Sequence, residues 1–176
     1  MITTEAQPSG PFVVMGVSGC GKSSVASMLA SRTGGLFLDA DDFHPPENKA
    51  KMAAAIPLTD DDRWSWLAAL NSELKSHAGS GRPLFLACSA LRQVYRDKLS
   101  AGLPHLRFIY LKGSQELIGR RMQSRENHFM PPALLASQFA LLEEPLDAID
   151  VGIEKALPEI LDTVLERLGL PGAPRD

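Results

Sequence analysis

The residues from Gly16 to Ser23 have the types and spacing of a phosphate-binding loop. They read Gly16-Val17-Ser18-Gly19-Cys20-Gly21-Lys22-Ser23 and match the pattern G-x-x-x-x-G-K-[ST]. Glycines let the backbone curl so that successive N–H groups, with the N-terminus of the following helix, face the β- and γ-phosphates of a nucleotide. Lys22 adds positive charge there, and the Ser23 hydroxyl holds Mg²⁺. The loop predicts ATP and Mg²⁺ as ligands, bound by residues 16–24 including Ser24, with Cys20 only a small loop residue.

Two carboxylates and a histidine, Asp39, Asp41 and His44, follow a short apolar run and form a second candidate group. Phosphoryl transfer needs one carboxylate to orient hydrated Mg²⁺ and another to receive the proton of the acceptor hydroxyl. We expect Asp39 to act with Ser23 at the metal and Asp41 to be catalytic. Asp42 is interpreted as a helix-capping or turn residue. From the residues alone, His44 is either a substrate-binding group or a loop histidine.

Arginines occur at two further places of interest. Arg63, near the start of a helical stretch, has the fork of N–H donors that binds a carboxylate, but a surface arginine needs no such partner. Arg121 and Arg125 lie four residues apart and share a helical face. We interpret residues 121–131 as a small lid whose arginines close over ATP and stabilise the transferred charge. The alternative is a solvated basic helix face.

Apolar runs separated by helical stretches must position these residues. Strands are predicted at Phe12–Met15, Leu36–Leu38, Pro83–Cys88, Phe108–Leu111 and near Ala148–Ile153. Helices are predicted at Ser24–Arg32, Asp61–His77, Leu91–Leu99, Gln115–Arg125, Pro132–Glu143 and Leu157–Leu168. This alternation predicts an α/β fold of three layers, a P-loop NTPase fold with a five-stranded parallel sheet between helices.

Length and composition limit the function further. At 176 residues and 44% apolar content, the chain is expected to form one domain, with a core at 10–170 and flexible termini at 1–9 and 170–176. A formal net charge of -3 argues against a nucleic-acid partner. Two widely separated cysteines do not suggest a disulfide framework, and no apolar run reaches membrane-spanning length. We therefore expect a cytoplasmic protein without a membrane partner.

Several longer motifs occur in a fixed order along the chain. They are Met15–Gly19; Leu38–Asp41 with His44-Pro45; Pro57-Leu58 and Asp60–Arg63 with Trp66-Leu67; Cys88–Leu91 with Tyr95–Asp97; Phe108–Gly113; and His128-Phe129 with Gln138-Phe139. From Phe12 to Leu168 the chain resembles the gluconate kinases of the bacterial thermoresistant type, relatives of the shikimate and nucleoside monophosphate kinases. It departs from their pattern at Cys20, Ser65 and Gly152.

The resemblance implies a specific activity and site. It implies phosphorylation of the 6-hydroxyl of D-gluconate, with Mg²⁺-ATP as donor and a homodimer as the assembly. Carried onto this sequence, it implies that the acceptor pocket is formed by Asp41, His44, Arg63, Ser89 and His128.

Two other readings remain open at this point. A shikimate or nucleoside monophosphate kinase has the same loop, sheet and lid, although the sequence has no arginine between Asp39 and Arg63 to neutralise a phosphate on the acceptor. A nucleotide-dependent switch belongs to a different class, and would call for a partner-binding surface that the sequence does not reveal.

Overall fold

The computed structural model of the chain describes residues 10–124 and 132–172. Within these residues the strands are β1 (Phe12–Met15), β2 (Leu36–Asp39), β3 (Leu84–Ala87), β4 (Arg107–Lys112) and β5 (Ile149–Gly152). They form one parallel sheet in the order β2-β3-β1-β4-β5. The helices are α1 (Lys22–Thr33), α2 (Pro46–Ala53), α3 (Asp60–His77), α4 (Gln93–Ser100), α5 (Gln115–Gln123), α6 (Pro132–Leu141) and α7 (Leu157–Leu168).

The sheet is the middle of three layers. Successive side chains of a strand point to opposite faces, and in β1 Phe12 and Val14 join the apolar cluster beneath α1 and α7, whereas Val13 and Met15 join the cluster beneath α3 and α4. All four residues of β1 are fully buried, as expected for a central parallel strand. The predicted three-layer α/β fold with its five-stranded parallel sheet is confirmed.

The strand register brings the segments that follow β1, β2 and β3 to one edge of the sheet. Ala87, the last residue of β3, pairs with Val14 on one side and with Asp39 on the other. The chain therefore leaves all three strands at about the same level. In open parallel sheets this carboxyl edge is where ligands bind.

Three helices differ from the sequence prediction in where they begin. Helix α1 begins at Lys22, two residues before the predicted Ser24. A capping box starts α3 one residue early, because Thr59 accepts from the Asp62 backbone N–H and the Asp62 carboxylate accepts from the Thr59 N–H. Helix α4 begins two residues late, because Arg92 has an extended backbone with φ -101° and ψ 148°, which is incompatible with a right-handed helix.

Two other differences lie elsewhere in the chain. Helix α2 was not predicted, although it begins with a proline at its first position, where proline is favoured. Helix α6 ends at Leu141 rather than Glu143, since the Glu143 N–H donates to the Leu91 carbonyl 2.8 Å away. None of the helices in the described ranges is both long and apolar enough to cross a membrane.

Candidate active site

The loop between β1 and α1 has the backbone that the phosphate-binding pattern requires. Gly16, Gly19 and Gly21 have φ of 149°, 83° and 96°, a region that favours glycine. A Cβ on Gly16 would lie 2.7 Å from the Cys20 sulfur, and one on Gly19 would lie 2.7 Å from the Met122 side chain. Helix α1 has no side-chain cap and no acidic residue in its first turn, so its leading N–H groups are open to an anion.

Lys22 and Cys20 lie inside this loop. Lys22 Nζ donates to the Val17 carbonyl across the loop, 3.1 Å away, so the ammonium already lies over the turn where phosphates would sit. Burial raises the pKa of the Cys20 thiol. Because a buried, protonated thiol is a poor nucleophile, Cys20 serves as a small loop residue, in keeping with its interpretation from the sequence.

Gln138, on α6, makes a second anchor for the loop that the sequence analysis did not assign to the site. Its Oε1 accepts from the Ser18 backbone N–H at 2.7 Å, and its Nε2 donates to Ser18 Oγ at 2.8 Å. The two residues are 120 positions apart. The only sign of Gln138 in the sequence was its place in the last of the motifs that occur in a fixed order along the chain. These bonds hold the loop against α6.

The predicted metal pair, Ser23 and Asp39, is brought together across two elements. Ser23, in the first turn of α1, donates from Oγ to Asp39 Oδ2 at 2.9 Å, while Asp39 Oδ1 accepts from the Asp41 N–H at 3.0 Å. No cluster of three or more His, Cys, Asp and Glu side chains suited to a metal occurs in the part of the chain described. A hydroxyl and one carboxylate suit Mg²⁺, which keeps waters and phosphate oxygens for its other positions.

Asp41 sits in the short 3-10 helix Ala40–Phe43, just beyond the end of β2. Its pKa is raised, first because surrounding protein reduces the hydration of its carboxylate and then because the Asp39 carboxylate lies near. The side chain is nevertheless 82% exposed, so its carboxylate is open to a ligand. Its neighbour Asp42 is exposed and lies in the same 3-10 helix, whose N-terminus is capped by Asp39.

His44 is a buried residue and not a solvated loop histidine. Only 7% of it is exposed, and its ring stacks on Trp66 with centroids 4.2 Å apart and an interplanar angle of 13°. The Trp66 indole N–H in turn donates to the Ala40 carbonyl at 2.8 Å. Burial lowers the pKa of His44, so its imidazole is neutral at pH 7. Its Nε2 lies 4.0 Å from Asp41 Oδ1, which brings together two of the predicted site residues.

Arg63 belongs to a charged cluster formed by Asp60, Arg63, Arg92 and Tyr95, which we call the Asp60 cluster. Arg63 Nη1 lies 3.0 Å from the Tyr95 hydroxyl and 3.4 Å from Asp60 Oδ1. Asp60 also accepts from Arg92 at 2.6 Å and from the Tyr95 hydroxyl. The Tyr95 hydrogen bond and then the two arginines lower the pKa of Asp60. Arg63 is thus held through one of its amino groups, by partners that the sequence did not predict.

Ser89 follows β3 on the loop between the phosphate loop and the Asp60 cluster. The Ser89 carbonyl accepts from the Gly16 N–H at 3.3 Å. Buried Arg96 fixes the same loop, donating to the Ala90 carbonyl at 2.7 Å and the Leu91 carbonyl at 3.1 Å. The loop therefore places the backbone of Ser89 beside the phosphate loop.

The predicted lid residues fall partly outside the described ranges. Arg125 and His128 lie between 124 and 132, outside the described residues. Arg121 lies in the last turn of α5, next to Met122, whose side chain packs on Gly19 of the phosphate loop. The end of α5 is therefore close to the expected phosphate position.

Together these residues form two halves of one site at the carboxyl edge of the sheet. One half can hold a polyphosphate and a divalent cation. The other presents a carboxylate and a neutral imidazole 4.0 Å apart, with an arginine cluster beyond them. Such an arrangement suits the transfer of a phosphoryl group to a hydroxyl.

Comparisons with known proteins agree with this geometry. No family model matches the chain. The chain is 45% identical over 179 residues to a probable gluconokinase of Mus musculus, covering 90% of this chain and 97% of that protein. It is 42% identical over 159 residues to the thermoresistant gluconokinase of Escherichia coli, covering 88% and 91%. A solved gluconokinase of Sinorhizobium meliloti 1021 has a TM-score of 0.84 and 44% identity, covering 93% of each chain. With this similarity over nearly its whole length, the chain belongs to the gluconokinase family.

Proposed function

We propose that this chain transfers the γ-phosphoryl group of ATP to the 6-hydroxyl of D-gluconate and releases 6-phospho-D-gluconate and ADP. The observation that carries the proposal is the meeting of the Ser23–Asp39 pair and the Asp41–His44 pair at one edge of the sheet, beside the phosphate loop. The relatives named gluconokinase support gluconate as the acceptor.

The donor half of the site fits ATP and Mg²⁺. Residues 16–24 would bind the phosphates through backbone N–H groups, with the Lys22 ammonium leaving the Val17 carbonyl to meet the transferred phosphate. Ser23 and Asp39 are the residues that would hold Mg²⁺, which when bound neutralises charge on the phosphate oxygens. Their hydrogen bond keeps both oxygens facing the same point.

The acceptor half supplies a base and orienting groups. Asp41 accepts the proton of the 6-hydroxyl as that oxygen attacks the γ-phosphorus in line. The raised pKa of its carboxyl strengthens it as a proton acceptor. His44 and Ser89 orient hydroxyl groups of the sugar acid, and Arg63 binds its carboxylate. His128 completes the predicted pocket.

Arg121 and Arg125 are proposed to stabilise charge on the moving phosphoryl group when residues 121–131 close over ATP. The packing of Met122 on Gly19 supports this position for Arg121. The resemblance to the gluconate kinases supports a homodimer and a cytoplasmic location, and light scattering of the purified protein tests the first.

A steady-state assay of ADP release tests the proposal. With Mg²⁺-ATP, we expect release to depend on D-gluconate and to stay at the background rate with shikimate or AMP. Turnover that depends on shikimate would assign the chain to the alternative acceptor. Release at one rate with or without any acceptor would indicate a nucleotide-hydrolysing switch.

A further inference from the structure

Asn48, on α2, is a buried polar residue that contacts the ring of His44. Only 3% of Asn48 is exposed. Its amide Nδ2 lies 2.8 Å from the backbone carbonyl oxygen of Asp62 and 3.3 Å from His44 Nδ1. One amide nitrogen therefore faces two groups that can accept hydrogen bonds.

The Asp62 carbonyl fixes the orientation of the Asn48 amide. A carbonyl oxygen only accepts hydrogen bonds, so the NH₂ group and not the amide oxygen must face it. One amide hydrogen is used there, and the second points to His44 Nδ1. His44 Nδ1 must then carry a lone pair, which puts the proton of the neutral ring on Nε2.

His44 Nε2 is the atom that faces Asp41. Its 4.0 Å separation from Asp41 Oδ1 is too long for a direct hydrogen bond. One oxygen at roughly 2.8 Å from each atom, an ordinary hydrogen-bonding distance, would bridge the two groups. A hydroxyl oxygen in that place would donate its hydrogen to Asp41, accept from the His44 Nε2–H, and keep one lone pair for attack.

We propose that Asn48 is a positioning residue that sets the tautomer of His44, so that His44 donates to the acceptor hydroxyl and Asp41 alone takes its proton. The inference rests on the proposed function. In the step itself, a bond forms between the hydroxyl oxygen and the γ-phosphorus, and the bond from that phosphorus to the bridging oxygen of ADP breaks. ADP leaves with the electron pair, and the hydroxyl proton passes to Asp41.

The opposite tautomer would disturb this arrangement. With its proton on Nδ1, His44 would present a lone pair from Nε2, and two acceptors would then compete for one hydroxyl hydrogen. Stacking on Trp66 holds the ring plane but does not choose between the two nitrogens. In the described part of the chain, Asn48 is the side chain that hydrogen-bonds the His44 ring and so makes that choice.

Two substitutions at Asn48 test the inference. Asn48→Asp puts a carboxylate at Nδ1, which draws the ring proton there, and Asn48→Leu removes the donor. Asn71 supplies matched controls, because it is a buried asparagine on α3 whose Nδ2 also serves backbone carbonyls, those of Leu99 and Ala101, each at 2.9 Å. Asn71→Asp and Asn71→Leu therefore show how much stability is lost when a buried asparagine is replaced without any change at His44.

Long-range ¹H–¹⁵N NMR of the ligand-free protein reads the tautomer directly, with the His44 signals identified by their loss in His44→Phe. We expect protonated Nε2 and unprotonated Nδ1 in the wild type, and a shift toward protonated Nδ1 in Asn48→Asp. Turnover should fall about 10- to 100-fold in both Asn48 variants, the range typical of losing the partner that orients a metal-bound imidazole, with little change in KM for ATP. The Asn71 variants should lose thermal stability but keep kcat.

Three results would overturn the inference: a wild-type His44 protonated at Nδ1, an Asn48→Asp variant that keeps the wild-type tautomer, or Asn48 variants in which the tautomer changes and kcat does not. Because the spectrum needs no substrate, it decides the tautomer whatever the acceptor molecule is. A wild type inactive with gluconate would overturn the proposed function instead, which keeps the two failures distinct.

Discussion

Asp41 and Asp42 are adjacent carboxylates at the end of β2, and both are exposed. Asp41 faces His44 and has a raised pKa, whereas the side chain of Asp42 makes no hydrogen bond or ion pair with the described residues. Asp41→Asn is nearly isosteric but cannot take a proton. We expect it to lower kcat by roughly two to four decades, the usual effect of a positioned acid–base group, while nucleotide binding and the fold persist.

Asp42→Asn is the matched control, and we expect near-normal kcat from it. Steady-state kinetics with Mg²⁺-ATP and gluconate measure both variants. An Asp41→Asn enzyme with a tenth of the wild-type kcat or more would show that Asp41 orients the substrate without acting as its base.

Arg63 is held through Nη1 by Asp60 and Tyr95, and its Nη2 and Nε make no hydrogen bond with the described residues. Those two groups are suitably spaced for a carboxylate. Arg63→Ala should weaken gluconate binding by roughly 1.5–3 kcal/mol, the range for a hydrogen bond to a charged group, with little effect on KM for ATP.

Arg32→Ala controls for the loss of an arginine, because Arg32 pairs with Asp162 on α7 at 2.8 Å, and its KM values should not change. Substrate titrations of both variants provide the measurement. Equal weakening toward gluconate and ATP in Arg63→Ala would assign Arg63 a structural role.

The start of helix α3 sets the position of the Asp60 cluster. The Asp62 carboxylate accepts from Lys51 Nζ at 2.8 and 2.9 Å and from the Thr59 N–H. These bonds lower the pKa of Asp62 to about 2, and the bond from Lys51 has the largest effect. A lowered carboxyl pKa adds stability that is complete above the unfolded value of about 3.9 and is lost as pH falls through the folded value.

Asp62→Asn should therefore have a lower Tm than the wild type near neutral pH, and the gap should narrow as pH falls from about 4 toward 2. Asp61→Asn removes an exposed charge from the same first turn and should show a smaller gap at neutral pH. Thermal unfolding followed by circular dichroism measures both. If the difference in Tm between the wild type and Asp62→Asn does not change with pH, the ionised carboxylate of Asp62 is not what stabilises the start of α3.

The elements were predictable where local signals decide them. The strands are short apolar runs between turn residues, and each appears within about a residue of its predicted position. Helix α2 was missed because its exposed, lysine-containing sequence has little apolar periodicity, and its start at Pro46 was interpreted as loop. The start of α4 at Gln93 depends on the extended backbone of Arg92, which follows a loop whose Ala90 carbonyl accepts from Arg96. The helical pattern of residues 91–99 does not show that break.

At the scale of the whole molecule, the site depends on contacts between distant parts of the chain. The meeting of Ser23 and Asp39 was predictable, because the loops after parallel strands share one edge. The contacts of Asn48 with His44 and of Gln138 with Ser18 were not. Each requires the packing of a helix whose position follows from the full fold.

The Gln138–Ser18 contact gives a prediction at this scale. Gln138→Leu keeps the size and helix preference of the side chain but removes both bonds to Ser18. A less ordered loop loses more entropy on binding phosphates. At about 1 kcal/mol per bond, we expect KM for ATP to rise roughly 5- to 30-fold. Ser137→Ala, whose hydroxyl bonds only within α6 among the described residues, should leave KM unchanged. An unchanged KM in Gln138→Leu would mean that the loop is ordered without α6.

Phosphorus NMR of the reaction product tests the central claim most directly. With Mg²⁺-ATP and D-gluconate, we expect a phosphate monoester whose signal is coupled to two protons, as for a phosphate on the terminal CH₂ group, together with one ADP for each ester. Lys22→Met should give neither, since it removes the charge that meets the transferred phosphate. A product split by a single proton would place the phosphate on a secondary hydroxyl. That result, or ATP consumed with no sugar-acid ester formed, would contradict the account.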